Sequence, residues 1–306
     1  MTPSLDSQQA PASIAEGIQI CEQALIAGEV FFGHGTDNAW DEAVQLVLAA
    51  CGLAADSDAS VANQPIGEQQ WRCVQAWLKA RIQDRVPLPY LTGRAWFAGL
   101  AFCCDERALV PRSPLAELIL DDFQPWYAGA GPHTMLDLCC GGGSIGVAAA
   151  VHCPTLRVDL ADIDERALSL AEENIALHDV GSRVSIIASD LFDSLPPRQY
   201  DLILSNPPYV DARDLVSMPP EYHREPPRGL GSGQDGLDLT RRILAQAQRY
   251  LSDTGLLVVE VGNSWAALET AYPQFPFTWI EFSRGGHGVF VMQARELQEF
   301  AASQLR

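Results

Sequence analysis

Met135-Leu136-Asp137-Leu138-Cys139-Cys140-Gly141-Gly142-Gly143-Ser144-Ile145-Gly146 decides the fold. A short apolar run of strand character passes directly into G-x-G-x-x-G at the opening of a helix. Glycine is required there because the chain turns tightly and a ligand must approach the backbone closely. Alone the motif is weak, since several adenosine-bearing cofactors are bound by versions of it. Its context is what gives it weight.

Downstream, strand-like and helical patterns alternate. Thr134–Leu138, Leu156–Ala161, Val184–Ala188, Tyr200–Ser205 and Leu256–Val261 read as strands, with helices such as Arg166–Ala176 and Leu239–Leu251 between them. That order predicts right-handed β-α-β units in a parallel sheet with helices on both faces. Phe277–Phe282 and Gly288–Met292 are joined by too few residues for a helical crossover, so they should pair as an antiparallel hairpin. The expected fold class is α/β, a Rossmann-like sheet ending in such a hairpin, as in class I methyltransferases, preceded by a small helical domain. The stretch 211–236, rich in Pro and Gly, is long and unpatterned enough to be a functional loop.

Upstream, Ile14–Ala27, Trp40–Cys51 and Trp71–Ile82 carry helical periodicity. In the third, Trp71, Val74, Trp77, Leu78 and Ile82 share one face. Asp37 or Asn38 caps the second, with Asp41 and Glu42 in its favourable first turn. Segments 95–99 and 101–104, around Gly99, read as a short hairpin. The domain reading is therefore 1–92 helical, 93–112 a hairpin linker, and 113–306 the α/β domain.

The bulk properties bound the function. Hydrophobic residues make up 47% and charged residues 19% of the 306-residue chain, ordinary values for a globular protein. No apolar run approaches the roughly 20 residues needed to cross a bilayer, and Met1 to Ala15 lacks the basic start and apolar core of a signal peptide. A cytoplasmic protein without membrane partners is expected. The eight cysteines include two adjacent pairs and no C-x-x-C, and the six histidines show no H-x-x-x-H. They read as small buried hydrophobes, and no metal is assigned. Twenty basic residues stand against 39 acidic ones, for a net charge of −19. Such a field repels nucleic acid and attracts a basic protein, so no direct nucleic-acid binding is expected. The bland alternative is that the acidity only aids solubility.

Three carboxylates distinguish the cofactor. Asp137 stands just before the glycines, where it would oppose the pyrophosphate of a dinucleotide but suits the cationic amino group of a methionine moiety. Asp162, roughly 20 residues on and at the end of the next strand, suits a ribose hydroxyl pair; the bland alternative is that it caps the helix starting near Glu165. Asp190 follows the third strand, where it suits an adenine amino group or merely closes a turn. S-adenosylmethionine is the cofactor this set predicts, with Asp137, Cys139, Gly141, Gly143, Asp162, Ile163, Asp190, Leu191 and Asn206 as candidate contacts.

The fourth strand runs directly into Asn206-Pro207-Pro208-Tyr209. Ligands of open α/β sheets bind beyond the carboxyl ends of the strands, so this loop should face the cofactor. An amide nitrogen is a poor nucleophile because its lone pair is delocalised into the carbonyl. The Asn206 side-chain oxygen and the Pro207 carbonyl can each accept one N–H of an NH2 group, fixing the nitrogen and helping to localise that pair. Two prolines stiffen the loop, and Tyr209 offers a face for stacking a planar group. Asn206, Pro207 and Tyr209 are the candidate catalytic residues.

These residues resemble the amide-nitrogen glutamine methyltransferases that modify release factors and a ribosomal protein. Asn206 to Tyr209 matches their signature loop and Met135 to Gly146 their cofactor loop, with Gly142 where other small residues often stand. The branch acting on the third protein of the large ribosomal subunit is the nearer likeness, extending over almost the whole chain. It is carried by Phe32-Gly33-His34-Gly35-Thr36-Asp37-Asn38, Val110-Pro111-Arg112-Ser113-Pro114, Gly236-Leu237-Asp238-Leu239-Thr240-Arg241-Arg242 and Phe277-Thr278-Trp279-Ile280-Glu281-Phe282. The resemblance implies a glutamine side-chain amide in a basic ribosomal protein as substrate, held at Asn206, Pro207, Pro208 and Tyr209. It implies cofactor contacts at Asp137, Gly141, Asp162 and Asn206. The loop with Glu221, Tyr222 and Glu225 is where the two branches should differ, and Glu225 is a candidate substrate contact.

Two rivals of other kinds stand beside this reading. An enzyme methylating the amino group of adenine or guanine also uses an Asn-Pro-Pro-aromatic loop, but should carry a basic cleft. A cofactor-binding scaffold without activity would have no need of an intact loop.

Overall fold

The computed structural model describes residues 9–127 and 131–303, so the first eight residues of the Met1–Ala15 reading lie outside it. Two compact units divide the chain. One comprises the residues up to Ala95, with 104–106 and 219–225; the other comprises 96–103, 107–218 and 226 onward.

The first unit is helical: α1 (Ile14–Ala27), α2 (Ala39–Ala50), α3 (Glu68–Gln83) and the short α4 (Leu88–Thr92). Each start has a local cause. Ser13 Oγ accepts the Glu16 N–H ahead of α1, and Asn38 rather than Asp37 caps α2, accepting the Asp41 N–H at 2.9 Å. The α3 helix begins earlier than its apolar periodicity suggests, because Gln70 reaches back to the Gly67 N–H at 2.8 Å. Ile14, Leu25, Leu46, Trp71, Val74 and Leu78 form its core.

The boundary between the units falls within a hairpin of β1 (Arg94–Phe97) and β2 (Leu100–Cys103). Ala98 and Gly99 turn it in left-handed conformations, φ 49° and 78°.

The second unit runs α5 (Leu115–Leu120), β3 (Thr134–Leu138), α6 (Ser144–His152), β4 (Arg157–Asp162), α7 (Glu165–Leu177), β5 (Val184–Ala188) and β6 (Tyr200–Ser205). It continues through α8 (Ala212–Ser217), α9 (Asp238–Gln246), β7 (Leu251–Glu260), α10 (Trp265–Ala271), β8 (Thr278–Trp279), β9 (Val289–Gln293) and α11 (Ala294–Ser303). Among the described residues its strands form one sheet in the order β5-β4-β3-β6-β7-β9-β8. Strands β3 to β7 pair in parallel, and β9 is antiparallel to both β7 and β8. Alternate residues serve opposite faces: Met135, Leu202 and Val258 pack with Val147 and Ala148, whereas Leu136, Ile203 and Leu257 pack with Ile243 and Leu297. Strand order reverses between β3 and β6, which opens a crevice at their carboxyl ends.

Three further segments differ from the sequence reading. The hairpin strand expected at Phe277–Phe282 shortens to Thr278–Trp279, and in the connection that follows the N–H groups of Ser283 and Arg284 donate to the Glu117 carboxylate. Helix Leu239–Leu251 stops at Gln246 and tightens into a 3-10 turn, because Leu251 is drawn into pairing with Tyr200. The stretch 211–236 is not unstructured. Asp211 caps α8 by accepting the Arg213 and Asp214 N–H groups, and a parallel bridge joins Val210 to Gly231. Within it, 219–225 belongs to the helical unit. No helix among the described residues is long and apolar enough to cross a membrane.

Candidate active site

Asp137, near the end of β3, is fully buried. Its Oδ2 accepts the Gly146 N–H at 2.8 Å, while Oδ1 has no hydrogen-bond partner among the described residues. Burial, reinforced by the charge of Asp162, pushes its carboxyl up to about 7 against the pull of the Gly146 bond. An orphaned buried carboxylate oxygen is a group awaiting a donor.

The loop that follows is held in left-handed conformations at Cys139, Gly141 and Gly143, φ 62°, 54° and 78°. A side chain at Gly143 would meet Leu160 at 2.9 Å, and one at Gly146 would collide with the same leucine. The two glycines therefore let α6 lie against β4, which brings the helix N-terminus up to the crevice. Asp162, ending β4, secures the loop: its Oδ2 accepts the Gly141 N–H at 2.8 Å and its Oδ1 the Asp164 N–H at 2.9 Å. The cap of α7 is Asp164, which accepts the Arg166 N–H, so Asp162 is not spent on that helix. Burial raises the Asp162 carboxyl above its ordinary value. Beside it, Ile163 projects an apolar side chain with 49% exposure.

After β5, Leu191 is buried with φ 50°. The Asp190 carboxylate is paired with Arg242 at 2.8 Å, so an adenine amino group would share it with a guanidinium.

At the end of β6, Ser205 donates to the Leu138 carbonyl at 2.6 Å, tying the strand carrying the Asn-Pro-Pro-Tyr loop to the strand carrying the glycines. Pro207 is buried; Asn206, Pro208 and Tyr209 are partly exposed. Tyr209 is clamped on several sides. Its hydroxyl donates to Glu260 Oε1 at 3.1 Å, its carbonyl accepts from Ser264 Oγ at 2.7 Å, and its ring lies where any side chain on Gly262 would be.

The carboxyl ends of β3, β4 and β6 thus bring together Asp137, Cys139, Gly141, Gly143, Asp162, Ile163 and Asn206 to Tyr209. Glu225 is buried in the helical unit, with Oε2 3.4 Å from His34 Nε2. Glu221 is likewise buried there, against Arg81 and Arg85. Glu260 and Ser264 hold Tyr209, and Ser113 holds Glu260; pattern reading gave none of the three a role. A lone carboxylate inside the apolar run Leu256–Val261 was the available signal for the first. Among the described residues no cluster of His, Cys, Asp and Glu is arranged to hold a metal ion.

A switch-point crevice with this glycine loop, on a sheet closed by an antiparallel strand, defines a Rossmann-like methyltransferase. Residues 116–218 match the family described as the methyltransferase small domain. The catalytic domain of hMettl16, solved in complex with the MAT2A 3'UTR hairpin 6, aligns over 72% of this chain and 80% of its own with a TM-score of 0.51. At 14% identity that likeness is one of fold alone. The ribosomal protein uL3 glutamine methyltransferase of Francisella tularensis is 45% identical over 277 residues, 90% of this chain and 88% of its own length. Its counterpart in Xylella fastidiosa is 48% identical over 266 residues, 87% and 85% of the two chains. The protein belongs to the family of ribosomal protein uL3 glutamine methyltransferases.

Proposed function

We propose that this protein transfers a methyl group from S-adenosylmethionine to the side-chain amide nitrogen of a glutamine in ribosomal protein uL3. The observation that carries the reading is the Asn206–Tyr209 loop, braced at the crevice beside a buried carboxylate whose Oδ1 has no donor among the described residues.

The residues fit the cofactor. Asp137 Oδ1 suits the methionine ammonium, and Asp162 retains lone pairs beyond its two backbone bonds for ribose hydroxyls. The glycine loop leaves the backbone open to close approach, and exposed Ile163 gives an apolar face for adenine. When bound, S-adenosylmethionine supplies a methyl group made electrophilic by a cationic sulfur.

The remaining chemistry belongs to the chain. Asn206 Oδ1 and the Pro207 carbonyl accept the two amide N–H groups and hold the nitrogen in place. Proline at 207 and 208 keeps backbone donors out of that acceptor pair. Tyr209, clamped from several sides, stacks on the planar amide. The nitrogen made cationic by methyl transfer sheds its proton readily, so no strong base is needed. The net charge of −19 suits a basic protein partner.

The test is transfer of labelled methyl to unmethylated ribosomal proteins, with mass spectrometry to locate the product. Label on a uL3 glutamine, lost in Asn206→Ala, is the expected result. Label on release factor would keep the chemistry and change the substrate. Label on nucleic acid alone, or none despite cofactor binding, would overturn the reading.

A further inference from the structure

Two segments that the sequence singles out, Val110–Pro114 and Asn206–Tyr209, meet at one side chain that neither contains. Glu260, the last residue of β7, is 5% exposed. Ser113 Oγ donates to its Oε2 at 2.6 Å and the Tyr209 hydroxyl donates to its Oε1 at 3.1 Å. The serine is oriented for this, because its oxygen already accepts the Leu115 N–H at 3.2 Å and its proton is left for the carboxylate. The Tyr209 ring has little freedom to leave. Gly262, at φ 46°, lies under it, and Gly288, at φ 70°, packs so closely on Gly262 that a side chain at 288 would collide with the 262 carbonyl. Gly236 similarly leaves room for the Ser264 bond to the Tyr209 carbonyl.

We propose that Glu260, oriented by Ser113, is a positioning residue that fixes the Tyr209 ring through its hydroxyl and so sets the plane on which the substrate amide stacks. The argument rests on the function proposed above. Each oxygen of the carboxylate accepts from a different hydroxyl, an arrangement complete only in the ionised form. The groups facing the carboxyl are Ser113 and Arg112 from the segment before α5 and Tyr209 from the loop after β6. Burial pushes the Glu260 carboxyl up to about 7, against the opposing pulls of Ser113, Tyr209 and Arg112. Protonation near neutrality therefore takes one oxygen from its donor and loosens the ring, and transfer slows on the acid side.

Glu260→Gln keeps the size and removes the second acceptor oxygen. The experiment follows kcat and KM for methyl transfer to uL3 between pH 5.5 and 8.5 in the parent, Glu260→Gln, Ser113→Ala, Tyr209→Phe and the Glu260→Gln/Tyr209→Phe pair. A structure-only readout runs beside it: ring-labelled tyrosine NMR, with Tyr209→Phe for assignment. Expected are a parent kcat that falls on the acid side of about pH 7 and a Tyr209 signal that titrates over the same range. Glu260→Gln should lower kcat at pH 8 by about tenfold or more, flatten both profiles, and combine with Tyr209→Phe no worse than either alone. Fully additive losses, or a Tyr209 signal that titrates unchanged in Glu260→Gln, would overturn the proposal. Should Glu260→Gln not fold, Ser113→Ala must shift the midpoint of the Tyr209 titration upward, and an unmoved midpoint refutes it. Because the NMR titration needs no substrate, a parent that methylates nothing would refute the proposed function and leave the positioning role to be decided by the spectrum.

Discussion

The Asp162 carboxylate accepts the backbone N–H of Gly141 at 2.8 Å, so the end of β4 sets the conformation of the loop leaving β3. The side chain whose position suits the ribose is thus also the latch of the glycine turn. Replacing it removes both contributions together. In Asp162→Asn one oxygen becomes an NH2 group facing a backbone N–H, and either the Gly141 or the Asp164 bond is lost. Affinity for S-adenosylmethionine should fall by about tenfold to a hundredfold, the equivalent of one to two buried hydrogen bonds. Hydrogen exchange at the Gly141 or Asp164 amide should accelerate even without cofactor. Calorimetry and exchange measured together check this, and unchanged exchange at both amides would mean that the carboxylate does not hold the loop.

Asp137 should set the pH dependence of both stability and cofactor binding. An unfolded aspartate titrates near about 3.9, and burial raises this one to about 7 in the fold. The folded protein therefore holds the proton more tightly than the unfolded chain. Its stabilising contribution is complete below the unfolded value and is lost as pH rises through about 7. Asp137→Asn removes that loss. The cofactor-free variant should match the parent near pH 4 or fall below it, gain on it as pH rises to about 7, and gain little beyond. It should also bind S-adenosylmethionine at least a hundredfold more weakly, roughly the loss expected for an uncompensated charge-assisted contact. In the parent, a bound ammonium favours the carboxylate, so binding below pH 7 should release a proton and tighten as pH rises. Melting curves across pH and calorimetry in buffers of different ionisation enthalpy test the two halves. A parent and variant with parallel melting profiles would contradict the first.

Asn206→Ala separates chemistry from folding. The Asn206 side chain is partly exposed and the sheet beneath it is tied independently through Ser205 to Leu138. Melting should change by only a few degrees, whereas transfer should fall by about a hundredfold to a thousandfold, as when one aimed hydrogen-bonding group is removed from a transition state. Methyl transfer and thermal melting on the same preparation decide it. Equal losses in both would make Asn206 a structural residue.

The elements that were legible in sequence are those whose signal is local. Short continuous apolar runs, the helical faces of α1 to α3 and the glycine loop each announce themselves within a few residues. The strands Thr134–Leu138, Val184–Ala188 and Tyr200–Ser205 match the structure residue for residue. The missed features are decided at long range. Glu260 acquires its meaning from Ser113, which lies 147 residues earlier. The turn beyond the last hairpin strand is held by Glu117, 166 residues before Ser283. The place of 219–225 is also decided at long range: the segment belongs to the helical unit, and no pattern inside those seven residues encodes the guanidinium that holds Glu221.

That guanidinium supports the last prediction. Arg81 is fully buried on α3. Its Nε donates to Glu42 at 2.6 Å, its Nη1 to Glu221 at 3.1 Å and its Nη2 to the Phe31 carbonyl at 2.6 Å, so one planar fork serves three separated segments of the helical unit. Lysine cannot reproduce that geometry. Burial acts to raise the Glu221 carboxyl, but the Phe31 N–H and Arg81 outweigh it and hold the group below its ordinary value. Its contribution to stability is therefore present above the ordinary glutamate range and is lost as pH falls below it. Arg81→Ala strands the buried Glu42 carboxylate, which keeps only the Thr36 hydroxyl, takes from Glu221 one of its two guanidinium partners, and should destabilise by about 3–5 kcal/mol. Arg81→Lys should recover only part of this, and Arg81→Ala/Glu42→Gln should melt higher than Arg81→Ala because the stranded charge is gone. The segment 219–225 is the piece that the guanidinium ties to the helices, so trypsin should cut after Arg224 earlier in Arg81→Ala than in the parent. Melting and timed proteolysis check both. If Arg81→Ala/Glu42→Gln is no more stable than Arg81→Ala, the stranded charge on Glu42 is not what destabilises the unit.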